Sequence, residues 1–117
     1  MGAFRITTGL QGPEGGDPAW KELRPGVHMR TLFAGGPGEY HVELLHYRPG
    51  AYMLRHEHLG DEHIFVLQGS QGDEHGNYGA GSYVYNPAGS FHAVRSEEGC
   101  LVLVHRMAPV RFTAKGE

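Results

Sequence analysis

The 117 residues predict an all-β protein, a small antiparallel sandwich or barrel of short strands. Three observations carry this. Glycine and proline are abundant, at 19 and seven residues, which suits many tight turns. Between the turns, short runs rich in β-branched and aromatic residues recur at regular spacing. No window sustains a helical period. The length fits one domain with a modest core.

Taken in order, residues 1–19 are rich in Gly and Pro and read as an arm leading to Trp20. Residues 20–117 are then expected to form a single barrel domain. Strands are predicted over Val27–Phe33, Tyr40–Tyr47, Tyr52–His58 and His63–Gln68, each closed by Gly or Pro-Gly. Asp73–Gly76 marks a hairpin turn. Further strands follow over Ser82–Tyr85, His92–Ser96 and Cys100–Arg106. No internal repeat or low-complexity tract interrupts them.

Composition excludes several classes. The net charge is -3 and no Lys/Arg cluster runs along any segment, so nucleic acid is not the expected partner. No apolar run approaches the roughly 20 residues of a membrane helix. The N-terminus MGAFRITTGLQG lacks the apolar centre of a secretion signal. Cys100 has no second cysteine to pair with, so a reducing cytoplasm is the expected location.

The chemistry concentrates in two stretches. His56 and His58 lie two apart on a predicted strand and so point to the same face. Glu62 follows at the next strand, and His92 stands beyond Pro87 and Gly89. Three imidazoles and a carboxylate turned to one interior can hold a divalent first-row metal. Strict alternation from His56 puts Tyr52 and Leu54 inward, with Met53, Arg55 and Glu57 outward. From Glu62 it puts Ile64, Val66 and Gln68 inward, with Phe65 and Leu67 outward. Tyr52, Leu54, Ile64, Val66 and Tyr85 are therefore the expected pocket residues, together with Tyr83, Val94 and Leu103. Phe65 and Leu67 need cover, either from the arm with Trp20 or from a second subunit in a homodimer. His28, His41, His46, His63, His75 and His105 read as structural or surface residues, and Cys100 as a buried strand thiol.

Gly50, His56, His58, Glu62 and Gly69 fit the first motif of the cupin superfamily without a gap. Gly81, Pro87, Gly89 and His92 fit the second, with Ser96 where Asn is usual. The chain thus resembles a cupin, which implies a double-stranded β-helix, or jelly-roll-like barrel, around a metal held by His56, His58, Glu62 and His92. A narrower likeness runs through Trp20, Pro25-Gly26-Val27, Arg48-Pro49-Gly50, Val66–Gly69, Asp73–Gly76, Ala80–Tyr83 and Glu98-Gly99-Cys100. It is similar to the cupin domain of ChrR-type anti-sigma factors and to stand-alone acetylacetone-cleaving dioxygenases. ChrR-type factors carry a separate N-terminal helical zinc domain. These 117 residues offer neither room nor a Cys pair for one, so sigma-factor inhibition is not expected from the resemblance.

The ligand set alone leaves the metal open among Fe, Zn, Mn and Ni. With open coordination positions, an oxygenase of small chelating ketones or diketones is expected. With a filled four-coordinate zinc, the alternative is a non-catalytic sensor or ligand-binding module, or a plain structural barrel. Fold alone does not decide between them.

Overall fold

A computed structural model describes residues 4–113. Its strands are β1 (Lys21–Arg24), β2 (Val27–Ala34), β3 (His41–Tyr47), β4 (Tyr52–His58), β5 (Glu62–Asp73), β6 (Gly76–Gly79), β7 (Tyr83–Asn86), β8 (Phe91–Arg95), β9 (Cys100–Arg106) and β10 (Val110–Phe112). Every pairing is antiparallel. No helix among the described residues is long and apolar enough to cross a membrane. The all-β cupin barrel expected from the sequence is the fold observed.

Two sheets face each other. One runs β1-β2-β3-β9-β5-β7. The other runs β10-β4-β8-β5-β6. The twelve-residue β5 belongs to both: its first half pairs β9 and β7, its second half β6 and β8. The crossing comes at Gly69, whose φ is 71°. A Cβ there would stand 1.9 Å from the Gly99 carbonyl oxygen, so only glycine lets the two backbones approach. Between the sheets, Val27, Tyr47, Ile64, Val66, Val94, Val102 and Val104 form the core. These are β-branched and aromatic residues that fill a pleated inner face well.

Two strands carry one extra residue each, and this corrects the alternation. On β4, Met53 pairs Val94 while His56 pairs His92, a step of three against two. The bulge turns Met53 towards the interior beside His56 and leaves Tyr52 45% exposed, contrary to the inward facing expected of it. Tyr52 instead lies under the Arg24 guanidinium, 4.2 Å from its carbon to the ring centroid. On β5, Val66 pairs Val102 and Gln68 pairs Leu101. That extra residue exposes Gln68, expected inward, and brings Gln71 into the interior. Three strands escaped the sequence reading. β1 is a polar KELR, β6 is framed by glycines, and β10 has three residues beyond Pro109.

The arm packs on the outer face of β3. Gly12 lies so close to His46 that a Cβ would meet its ring at 2.7 Å, and Trp20 meets the same ring edge-on. Phe65 remains 45% exposed, so the described part of the arm does not cover it. Cys100 is buried in the core, as read from the sequence.

Candidate metal centre

β4 and β8 pair with His56 directly opposite His92, and His58 follows two residues along the same face. All three rings are buried. Their centroids are separated by 4.6, 4.7 and 5.1 Å, and one nitrogen from each lies within 4.8 Å of the others. Glu62 enters from the start of β5, where Asn86 Nδ2 donates to its Oε1 at 3.1 Å.

The hydrogen bonds fix the tautomers. His56 Nδ1 donates to the Leu54 carbonyl at 2.8 Å. His58 Nδ1 donates to Ser90 Oγ at 2.9 Å, because that hydroxyl spends its own proton on the Pro87 carbonyl. His92 Nδ1 donates to Asp73 Oδ2 at 3.2 Å. With every Nδ1 protonated and bonded outward, the neutral rings turn bare Nε2 lone pairs inward. His58 Nε2 lies 3.1 Å from Glu62 Oε1, yet off hydrogen-bond geometry, and this buried nitrogen has no partner. Two acceptors facing each other in a buried site call for a cation between them. The donor set therefore fits a metal ion. Outward donation from each ligating ring is also the support that metal-bound imidazoles normally have.

Charges follow the same logic. Burial lowers the pKa of His56 and of His92, and the outward hydrogen bonds only partly oppose it. Burial works to raise Glu62, but a proton on the facing His58 or His92 ring, which stands in for a cation there, together with the Asn86 amide outweighs it and holds the carboxyl below its ordinary value. Asp73 is likewise held low: burial is outweighed by Tyr78, the His75 amide and His92. The Tyr78 hydroxyl, pushed up to about 12 by burial and by Asp73, stays protonated and donates to it at 2.8 Å.

Beside these residues lies a cavity of about 480 Å³. Its walls are mainly apolar, including Met29, Leu45, Met53, Ile64, Val94 and Val104, with His56, Glu62 and His92 on one side. Half-exposed Leu23, Leu54 and Phe112 rim it. Of the expected pocket residues, Leu54, Ile64 and Val94 line the cavity, and Tyr83 and Leu103 do not. Val66 is buried in the core without lining it. Tyr52 and Tyr85 do not line it, which corrects the sequence reading. Tyr85 sits on the outer face, stacked on His63 with centroids 5.1 Å apart. Glu62 and Ile64 face inward from β5 across from β7, so Tyr85, opposite His63, must face out.

Sequence reasoning missed four residues here. Gln71 and Asp73 reach the interior only through the β5 bulge. Glu43 and Arg106 form a bidentate pair on the cavity wall, with Nε to Oε1 at 2.7 Å and Nη2 to Oε2 at 2.9 Å. Their signal was present: opposite charges embedded in the apolar strands HVELLHY and CLVLVHR.

Residues 14–109 match the family model of the ChrR cupin-like domain. The anti-sigma-E factor ChrR of Cereibacter sphaeroides is 34% identical over 100 residues, which span 84% of this chain and 46% of that protein. The chain thus covers just under half of that relative. The crystal structure of Rhodobacter sphaeroides SigE in complex with the anti-sigma ChrR superposes with a TM-score of 0.69 at 32% identity, over 77% of this chain and 49% of that one. An acetylacetone dioxygenase from Acinetobacter johnsonii superposes with a TM-score of 0.77 over 98% of this chain and 86% of that one. At 15% identity that second likeness is one of fold.

Proposed function

The chain belongs to the ChrR cupin-like family, and from that premise we propose that it binds one divalent metal through His56, His58, Glu62 and His92 and receives a small chelating molecule in the adjoining cavity. The observation that carries this reading is the set of inward Nε2 lone pairs facing Glu62, with an apolar cavity on their open side. A bound metal supplies Lewis-acid polarisation of a chelating carbonyl and, when redox-active, a place for oxygen chemistry. The chain supplies the rest. Leu54 and Phe112 admit an apolar ligand at the rim, Met53 and Val94 exclude water beside the histidines, and Asp73 and Ser90 hold the rings in register. Ketones and diketones suit such a pocket, since their oxygens address the metal and their alkyl ends the wall.

A second reading is a non-catalytic metal-dependent sensor module, favoured by the 34% identity to an anti-sigma factor. Elemental analysis of anaerobically purified protein, followed by oxygen-uptake assays of Fe(II)-loaded protein with small diketones and thiols, separates the two. Substrate-dependent uptake is expected for the oxygenase. Silence across the panel, with zinc-loaded protein equally well folded, would leave the sensor.

A further inference from the structure

Gln71 is 3% exposed, lines the metal-side cavity, and its Nε2 has no hydrogen-bond partner. A buried amide left unsatisfied is destabilising, and a chain keeps such a cost where something else completes the bond. The placement is specific. The extra residue between Val66 and Gln68 reverses the facing of β5, so that Gln71 enters the interior two residues before Asp73, the carboxylate that holds His92. Gln71 is thus tied by backbone to the metal centre, yet has no contact that would make it part of the ligand set. Of the other polar groups on this wall, Glu43 and Arg106 hold each other and Glu62 accepts from Asn86, while Arg24, whose Nε also lacks a partner, is stacked over the Tyr52 ring at the outer edge.

We propose that Gln71 is the ligand-orienting residue of this cavity, its Nε2 donating to an oxygen of a small carbonyl compound that chelates the metal. This rests on the metal-and-ligand reading above and specifies it. The ligand needs an oxygen acceptor besides its apolar body, and a hydrocarbon-like molecule of the same size would leave the amide orphaned. A donor fixed on β5, rather than on a loop, selects one of the two ways a nearly symmetric chelator can lie against the walls.

The test uses the Fe(II)-loaded 117-residue protein under anaerobic conditions, titrated with 2,4-pentanedione and followed by visible absorbance and calorimetry. Gln71→Met keeps length and volume and removes the donor. Gln71→Glu keeps the shape and presents an acid in place of the amide. The expected result is binding about tenfold weaker or worse in both variants, roughly one hydrogen bond lost. Iron content should match the unaltered protein, and Gln71→Met should not lower the melting temperature. A structural Gln71 would behave differently: the melting temperature of Gln71→Met would fall while affinity stayed constant. Equal affinity in the unaltered protein and both variants overturns the role of Gln71 and leaves the ligand reading intact. No binding of the diketone by the unaltered, iron-loaded protein overturns both.

Discussion

Glu62 Oε1 stands 3.1 Å from His58 Nε2, outside hydrogen-bond geometry, so that a neutral His58 leaves two acceptors face to face. A cation shared by both resolves that contact, and the charge on Glu62 then matters more than its shape. Glu62→Gln should keep the barrel but weaken metal retention by about tenfold or more. Competition against a chromophoric chelator measures it, and unchanged retention would remove Glu62 from the ligand set.

Metal loss should be felt in stability, with a defined pH dependence. Burial lowers the pKa of His56 and His92 below 6.5, so the folded, metal-free chain resists protonation where the unfolded chain accepts it. The stability this represents is complete above the unfolded value and drains as pH falls below about 6.5 towards the folded values. Protons compete with metal over the same window. Chelator should therefore lower the melting temperature at neutral pH, and the metal-free melting temperature should fall further towards pH 5. The double replacement His56→Ala with His58→Ala should abolish the chelator response. Superimposable melting curves with and without chelator would count against coupling.

Asp73 accepts from His92, Tyr78 and the His75 amide at once. Asp73→Asn preserves size but lets the amide offer a proton to His92 Nδ1, which favours the wrong tautomer. Metal affinity is expected to drop by about 10–100-fold, the usual cost of losing such support. A metal titration that matches the unaltered protein would reduce Asp73 to a hairpin brace.

Glu43 is 4% exposed and held by Arg106. Arg106→Met strands a buried carboxylate and should cost about 3 kcal/mol, whereas adding Glu43→Leu should recover much of that loss. Urea unfolding of the single and double variants decides, and additive losses would show that the two side chains act independently.

On the outer face, Phe65, Leu67 and Tyr83 are exposed together, and Phe65 packs on Tyr83 with ring centroids 5.1 Å apart. A homodimer through this face is expected at micromolar concentration. Phe65→Glu with Leu67→Glu should convert it to a monomer in light scattering. A monomer from the unaltered protein would dismiss the interface.

Much of this was legible in the residues, and the failures share one cause. Period-two alternation, a local property, put His56 and His58 on one face, and the resemblance to the two cupin motifs implied that Glu62 and His92 join them. Phe65, Leu67 and His63 face outward as alternation requires. Tyr52, Gln68 and Gln71 could not be read that way, since a bulge changes the facing of everything beyond it and is visible only against the partner strand. Tyr85 failed for a related reason, since its facing depends on which β5 residue it opposes. Glu43 and Arg106 meet across a sequence separation of 63, a distance no local pattern spans.

Because β5 runs through both sheets, it joins them at Gly69. Glu62, at the other end of the strand, lies roughly 23 Å of extended chain from that point at about 3.3 Å per residue. There the sheets are joined again, by the three residues between β4 and β5 and the four between β7 and β8. An ion shared by Glu62 on one sheet and His56, His58 and His92 on the other would therefore sit where chain already pins the sandwich. Its departure would loosen the side chains beside Leu54 and Phe112 rather than part the sheets, so the metal would set the shape of the pocket floor more than the width of its mouth.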